Sequence, residues 1–508
     1  MNPPDQQLVD ALRSDLAAAP YTVAAVESLL GPVANGALGR EQALPALRVT
    51  AQAREPLAVL TRTFLLGRPT TRALLDTALP SLGTSGAARL GLVETAGADD
   101  GDPVRPVLDL RPYGASDAAG DLAWWLASDL GELATGRALR TDHVLGVGGA
   151  STTLAQLTVR SPRGRALDLG TGCGVQALHA SRHCDAVVAT DISARALWFA
   201  AFNAALAGVR LDLREGSMLE PVAGEQFDLV VSNPPFVITP RVAGVPEYEY
   251  RDGGGTGDAV VRGLVADVGR VLAPGGVAQL LGNWEVRAGQ DWQEAVEPWL
   301  AASGLDGWVV QRESLDPAEY VETWLRDGGS TPERDPEGWA RLYGAWLDDF
   351  AARDVSAIGF GFITLRRPAN GAAPTLRRVE EVTGTVQQPL GGVIGAFLDA
   401  HDWLQAHDDD ALVAERLRVA GDVTEERYLT PGRADPSVVL LRQGGGFGRT
   451  VQVGTAVAGL VGACDGELSV GQIIAALGQI LDRSTADVAR EVVPTVRGLV
   501  RDGLLLAP

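Results

Sequence analysis

Asp168, Gly170, Gly172 and Gly174 stand in the stretch RALDLGTGCGVQALHAS. An apolar run ends at Asp168, and three alternating glycines then lead into a helical pattern. Glycines remove side chains where a backbone must turn tightly and approach a ligand. The N–H groups of such a loop, and the helix N-terminus it opens, favour an anionic or polar ligand. A dinucleotide fingerprint needs glycine or alanine where Val175 stands, so that pattern fails. Asn233 follows Asp168 by 65 residues, at the end of the apolar run FDLVVS, and opens Asn233-Pro234-Pro235-Phe236. Two prolines hold φ near about −65° and supply no backbone N–H, so the turn is stiff and rich in acceptors. The Asn233 side-chain oxygen and the Pro234 carbonyl can each accept an N–H. Phe236 offers a face to a planar partner, worth roughly 1–3 kcal/mol for a stacked base. A planar partner that carries N–H groups meets both acceptors and the ring.

Together these segments resemble class I S-adenosylmethionine-dependent methyltransferases. The glycine loop resembles their first motif, and VVATDIS, carrying Asp191 23 residues beyond Asp168, follows at the family's distance. The resemblance implies that Asp168, Gly170, Gly172 and Gly174 cradle S-adenosyl-L-methionine and that Asp191 binds the two ribose hydroxyls. In LREGSMLEPV it implies Ser217 near the adenine amino group and Met218 on the ring, although the family often has aspartate at the Ser217 position. Asn233-Pro-Pro-Phe resembles the (Asn/Asp/Ser)-Pro-Pro-(Tyr/Phe) motif of amino-group methyltransferases. Those act on the exocyclic amines of adenine or cytosine, or on the glutamine side-chain amide. The resemblance makes Asn233, Pro234 and Phe236 the catalytic set, with Asn233 also at the cofactor. PEYEYRDGGGTGDAVVRGLV is similar to the segment that follows the motif in the protein-glutamine methyltransferases of peptide release factors, the nearest in texture. This puts Pro235, Phe236, Tyr248, Tyr250 and Arg251 at the substrate, with Asp252 in the same loop. DHVLGVGGASTTLAQLT corresponds to the segment over the cofactor's methionine end. Thr152, Thr153 and Gln156 edge that pocket, or else cap a helix beginning near Ser151.

A site of this kind sits on alternating strands and helices. RALDLG, DAVVAT, VRLDLRE, FDLVVS and GVAQLLG read as strands between helical segments such as ARALWFAAFNAALAG. That alternation predicts a mostly parallel, doubly wound sheet. GWVVQRES and AIGFGFITLRRP read as two late strands around the helix PEGWARLYGAWLDDFAARD. The expected fold class is α/β, a Rossmann-like seven-stranded methyltransferase sheet over residues 141–370. Residues 1–140 read as an accessory domain, helical to about 85 with its second helix closed by Gly31, then β-rich. Trp124 and Trp125 within it read as core. PANGAAP is the expected linker to a C-terminal accessory domain, 371–508, whose end has the texture of a winged helix.

The chain has 508 residues and a net charge of −21, and all 43 basic residues are arginine. A nucleic-acid backbone is repelled unless an arginine patch, such as Arg160, Arg163, Arg165 and Arg241, offsets that charge. The expected substrate is therefore a protein or peptide, methylated at a glutamine-like amide nitrogen. The alternatives are an RNA or DNA base amino-group methyltransferase and a tailoring enzyme for a peptide natural product or small metabolite. The latter includes carboxylate O-methylation. A binding protein that keeps the fold without activity is the non-enzymatic rival. Cys173, Cys184 and Cys464 are odd in number and form no CxxC pair, so neither a disulfide framework nor structural zinc is expected. His179, His183 and Cys184 read as lying on one helix without a third ligand, so no metal is expected. Cys173 reads as a small filler. The acidic, amphipathic N-terminus is unlike a secretion signal, and no apolar run reaches the roughly 20 residues of a membrane span. The expectation is a cytoplasmic protein with no membrane partner.

Overall fold

A computed structural model describes residues 4–117, 120–136 and 139–508. The chain divides into two compact units. The first comprises Met1–Ala155 and Pro162–Glu381, the second Gln156–Ser161 and Val382–Pro508.

The first unit begins with helices Gln6–Ala18, Val23–Leu38, Leu44–Thr50, Pro56–Leu60, Arg72–Ala78 and Gly83–Arg89. Gly31 closes the helical segment that begins at Val23, as its sequence suggests. Its φ is +71°, and Pro32 opens a further segment that runs to Leu38, as proline does at a first helical position. An antiparallel hairpin follows, β1 (Leu108–Asp117) and β2 (Gly120–Asp129). Trp124 and Trp125 on β2 pack half-buried on the core, and the Trp125 indole N–H donates to the Tyr21 carbonyl at 2.6 Å.

The central sheet contains β3 (Arg163–Leu169), β4 (Cys184–Asp191), β5 (Asp212–Glu215), β6 (Phe227–Ser232), β7 (Leu272–Arg287), β8 (Asp306–Leu315), β9 (Val355–Arg366) and β10 (Arg377–Glu381). Its order is β10-β8-β9-β7-β6-β3-β4-β5. β5, β4, β3, β6 and β7 run parallel, while β9 is antiparallel to both β7 and β8. The expected seven strands are all present, and β10 adds an eighth at the edge, parallel to β8. β3 and β6 lie inside the sheet with helices on both faces, which is why ALDL and LVVS are unbroken buried runs.

One hydrophobic core joins the N-terminal helices to the elements beside the glycine loop. Leu12, Leu16, Tyr21 and Phe64 pack in the same cluster as Cys173, Val175, Phe199 and Phe202. Asn203, fully buried on helix Ala194–Ala207, ties the pieces together. Its side-chain oxygen accepts from Ala127 N–H on β2 at 2.7 Å. Its amide group donates to the Ala127 carbonyl at 2.9 Å and to the Cys173 carbonyl in the glycine loop at 2.8 Å. A second core lies under helices Pro317–Asp327 and Pro336–Ala352, around Tyr320, Trp346 and Phe350.

The second unit holds a three-stranded antiparallel sheet, Val423–Tyr428, Val438–Gln443 and Thr450–Val453. Around its own apolar core lie helices including Thr455–Gly462, Val470–Ile480 and Thr485–Arg501. The terminal apolar run forms only a short strand, Leu505–Leu506, paired with Arg418–Val419. Residues 156–161 reach this unit from the middle of the chain, where the Gln156 carbonyl accepts from Leu390 N–H at 2.9 Å. Among the described residues, no single helix is long and apolar enough to cross a membrane.

Candidate active site

β3, β4 and β6 are neighbours, and their carboxyl ends bring three sequence motifs to one edge. The glycine loop leaves β3 and opens helix Val175–Ala180. Gly170, Gly172 and Gly174 have φ of +72°, +54° and +86°, a region costly for any residue with a Cβ. At Gly174 there is also no room, since a Cβ would stand 3.1 Å from Ala200 Cα. At Gly170 and Gly172 a Cβ would meet nothing within 4 Å, so these positions border open space. Thr190 holds the loop from β4, its carbonyl accepting from Gly170 and Thr171 N–H groups at 2.9 Å.

Asp168 is buried beneath this loop. One carboxyl oxygen accepts from the Thr171 hydroxyl at 2.6 Å and from Ala177 N–H at 2.9 Å. It thus clamps the loop to its helix from below. Burial pushes its pKa up to about 7, against the opposing pull of those two hydrogen bonds. Burial also pushes the neighbouring Cys173 thiol up to about 11, leaving it a small apolar filler.

Asp191 ends β4 and meets the loop directly. Its carboxylate accepts from Gly172 N–H and Ser193 N–H, both at 2.9 Å, and burial raises its pKa. The next residue, Ile192, is apolar yet 64% exposed, a rim residue absent from the expected set. Its only signal in sequence is an apolar side chain directly after the acid. Gly216 N–H donates to the Asp191 carbonyl at 3.0 Å, which brings Ser217 and Met218 to the same edge. Met218 has φ of +47°, and its side chain packs half-buried against the cluster that includes Leu169 and Val230.

Asn233 follows β6 immediately. β6 pairs with β3 in register, Ser232 opposite Leu169, and the Ser232 hydroxyl donates to the Leu169 carbonyl at 2.7 Å. Asn233 therefore starts beside Gly170, across one strand spacing. Its side-chain oxygen is buried with no hydrogen-bond partner among the described residues. Pro234 is buried, and Pro235 and Phe236 are half-buried. The Phe236 ring makes edge contacts with Trp324 and Phe360, at centroid distances of 6.2 and 6.4 Å. Two residues later, Ile238 N–H donates to the Tyr320 hydroxyl at 2.8 Å, and Asn283 donates to the same oxygen at 2.9 Å. Trp324, Tyr320 and Asn283 lie too far along the chain to be read from the motif.

The substrate-loop residues fall otherwise. Tyr248 and Arg251 are buried, and Arg251 donates to the Trp324 carbonyl and to Asp327, both at 2.8 Å. Its guanidinium lies 4.5 Å over the Tyr248 ring. The Tyr248 hydroxyl donates to the Gly328 carbonyl at 3.1 Å, and the Tyr250 hydroxyl to Asp327 at 2.8 Å. Burial raises both phenol pKa values. These three side chains fasten the loop to the end of helix Pro317–Asp327. Upstream, Thr152 borders a cavity of about 190 Å³ with Arg111, Tyr113, Ser128 and Val147. Helix Gly149–Leu157 is tied to the glycine-loop helix where Gln176 donates to the Ser151 carbonyl at 2.7 Å. The expected histidine pair does not share a helix, because that helix ends at Ala180; the His179 ring nitrogen lies 2.8 Å from the Tyr113 hydroxyl.

Residues 146–298 match the model of the methyltransferase small domain. Two models described as domains of unknown function match 18–106 and 395–507. The release factor glutamine methyltransferase of Deinococcus radiodurans is 40% identical over 129 residues, which cover 24% of this chain and 46% of that protein. The corresponding enzyme of Xylella fastidiosa (strain Temecula1) is 39% identical over 166 residues, 31% of this chain and 58% of that protein. The chain thus spans about half the length of the curated relatives it matches. A solved methyltransferase from Pyrococcus furiosus is 15% identical, covering 43% of this chain and 81% of that one, with a TM-score of 0.27. The central domain is a class I methyltransferase domain that resembles the release factor glutamine methyltransferases.

Proposed function

We propose that the chain transfers a methyl group from S-adenosyl-L-methionine to a planar amide nitrogen of a protein or peptide, glutamine-like in its chemistry. One observation carries the choice of acceptor: the buried, unpartnered side-chain oxygen of Asn233, held in a double-proline turn beside the glycine loop. A buried polar atom without a partner is costly, and an N–H from the acceptor removes that cost. The residues fit the cofactor. Open space above Gly170 and Gly172 leaves room for it, Asp191 offers a carboxylate for a diol, and Ser217 and Met218 flank the adenine side. The bound cofactor supplies an electrophilic methyl group on a sulfonium. Asn233 and the Pro234 carbonyl orient the acceptor nitrogen, and Phe236 stacks against its plane.

The nucleic-acid alternative needs free arginines. Arg165 pairs with Glu225 at 2.6 Å and Arg241 with Glu247 at 2.9 Å. Arg163 donates to the Asp228 carbonyl, and Arg160 belongs to the other unit. The C-terminal unit, with its winged-helix texture, is proposed as a protein-contact module.

Labelled cofactor incubated with a native lysate, followed by separation of protein, RNA and small molecules, tests the substrate class. Label in the protein fraction is expected, and label confined to RNA or small molecules overturns the protein assignment. In the same assay, Asn233→Ala lowers turnover about 100-fold or more while S-adenosylhomocysteine affinity is kept. Unchanged turnover would remove Asn233 from the acceptor site.

A further inference from the structure

We propose that Asp252 is a second side-chain acceptor at the methyl-transfer site, beside Asn233, and that it takes the proton released there. The inference rests on the methyltransferase reading above. It narrows the acceptor to a nitrogen bearing N–H groups, in a primary carboxamide, an amidine or an exocyclic amine, and excludes a carboxylate oxygen.

Asp252 faces Phe236 across an antiparallel bridge. Residues paired this way carry their side chains on the same face, with Cβ atoms about 4.5–5.5 Å apart. The Asp252 carboxylate therefore lies beside the ring that stacks on the acceptor. The approach is close on both sides of the pair. Val237 N–H donates to the Arg251 carbonyl at 2.9 Å, and a Cβ at Gly253 would stand 2.9 Å from the Pro235 carbonyl oxygen. Sequence and structure thus press this loop onto the Pro-Pro-Phe turn itself.

The Asp252 side chain is 2% exposed. Its Oδ2 accepts from Tyr248 N–H at 2.7 Å and stands 3.9 Å from Arg251 Nε. Its Oδ1 is buried with no hydrogen-bond partner among the described residues. One oxygen thus accounts for a role in the loop, and the other is left over. Asn233 Oδ1 is left over in the same way, three residues before Phe236. Two unpartnered acceptor oxygens on one aromatic-lined turn match a planar group with two N–H bonds. A carboxylate brings no N–H and meets the negative charge of Asp252.

The nitrogen lone pair forms the new N–C bond as the S–C bond of the sulfonium breaks, with that electron pair staying on sulfur as a neutral thioether. The nitrogen now carries one proton too many, and Asp252 Oδ1 takes it. The products are the N-methyl group and a carboxylic acid, which returns its proton to water.

The test uses the full chain, tritiated S-adenosyl-L-methionine and the native lysate as acceptor source. Asp252→Asn keeps an oxygen for Tyr248 N–H and turns the other atom into a donor. Asp252→Ser keeps an acceptor for Tyr248 and removes the second oxygen. Wild-type label is expected to be N-linked and stable to mild alkali. Both variants are expected to lose initial rate about 100-fold or more, with melting temperature and S-adenosylhomocysteine affinity close to wild type. Label that mild alkali releases as methanol overturns the inference. So does transfer by either variant within about threefold of wild type. Alkali-stable label in RNA or small molecules, lost in both variants, supports Asp252 while refuting the protein substrate.

Discussion

Asp168 couples the glycine loop to pH. Its carboxyl ionises near 3.8 in an unfolded chain and is raised by burial to about 7 in the folded one. A raised carboxyl favours the fold in its neutral form. Its stabilising contribution is whole below about pH 4 and is lost as pH rises through about 7. Asp168→Asn keeps an oxygen for Thr171 and Ala177 and cannot ionise. Thermal melts between pH 5 and 8.5 are expected to show wild type losing ground to the variant as pH rises. Parallel curves would mean that Asp168 is not the titrating group. Residues such as Gly172 and Asp191 were legible because a backbone with positive φ and a carboxylate at a strand end leave few substitutes. Tyr248 and Arg251 were legible only as an aromatic and charged loop. Arg251 bonds to Asp327, 76 residues away, and the Tyr248 hydroxyl to the Gly328 carbonyl, 80 residues away; no local pattern announces such bonds.

Among the elements, the Asn203 amide bridges β2 to helix Ala194–Ala207, alongside the ion pair of Arg195 with Asp129. Asn203→Leu leaves the Ala127 N–H, the Ala127 carbonyl and the Cys173 carbonyl without that partner. Buried unsatisfied groups cost about 1–3 kcal/mol each, so unfolding free energy should fall by about 3 kcal/mol or more. Urea titration measures this, and a loss under about 1 kcal/mol would sink the bridging role. The parallel core strands were readable because burial on both faces demands unbroken apolar runs. β10 was not. Its sequence RRVEE is charged and without alternation, as suits an edge strand guarded against further pairing. Gly31 was legible as a stop, while the segment that follows it was not. The glycine does end a helical segment, but the next residue is a proline that starts another.

At the scale of the whole molecule, the second unit takes a short segment from the middle of the chain. Leu157 and Val159 are buried, and Leu390 N–H bonds back to Gln156. A Cβ at Gly391 would run into the Thr158 carbonyl oxygen. Gly391→Ala is therefore expected to loosen this segment, seen as faster amide hydrogen exchange at residues 156–161. Unchanged exchange there would contradict the packing. Nothing in the run LTVRS marks it for distant partners, since their identity depends on residues beyond position 381. The same feature sets an order of events during synthesis. Residues 156–161 leave the ribosome about 230 residues before Leu390 does, a delay of about 10–50 s at roughly 5–20 residues per second. For that interval Leu157 and Val159 wait, just ahead of the first strand of the central sheet, for the residues that will bury them.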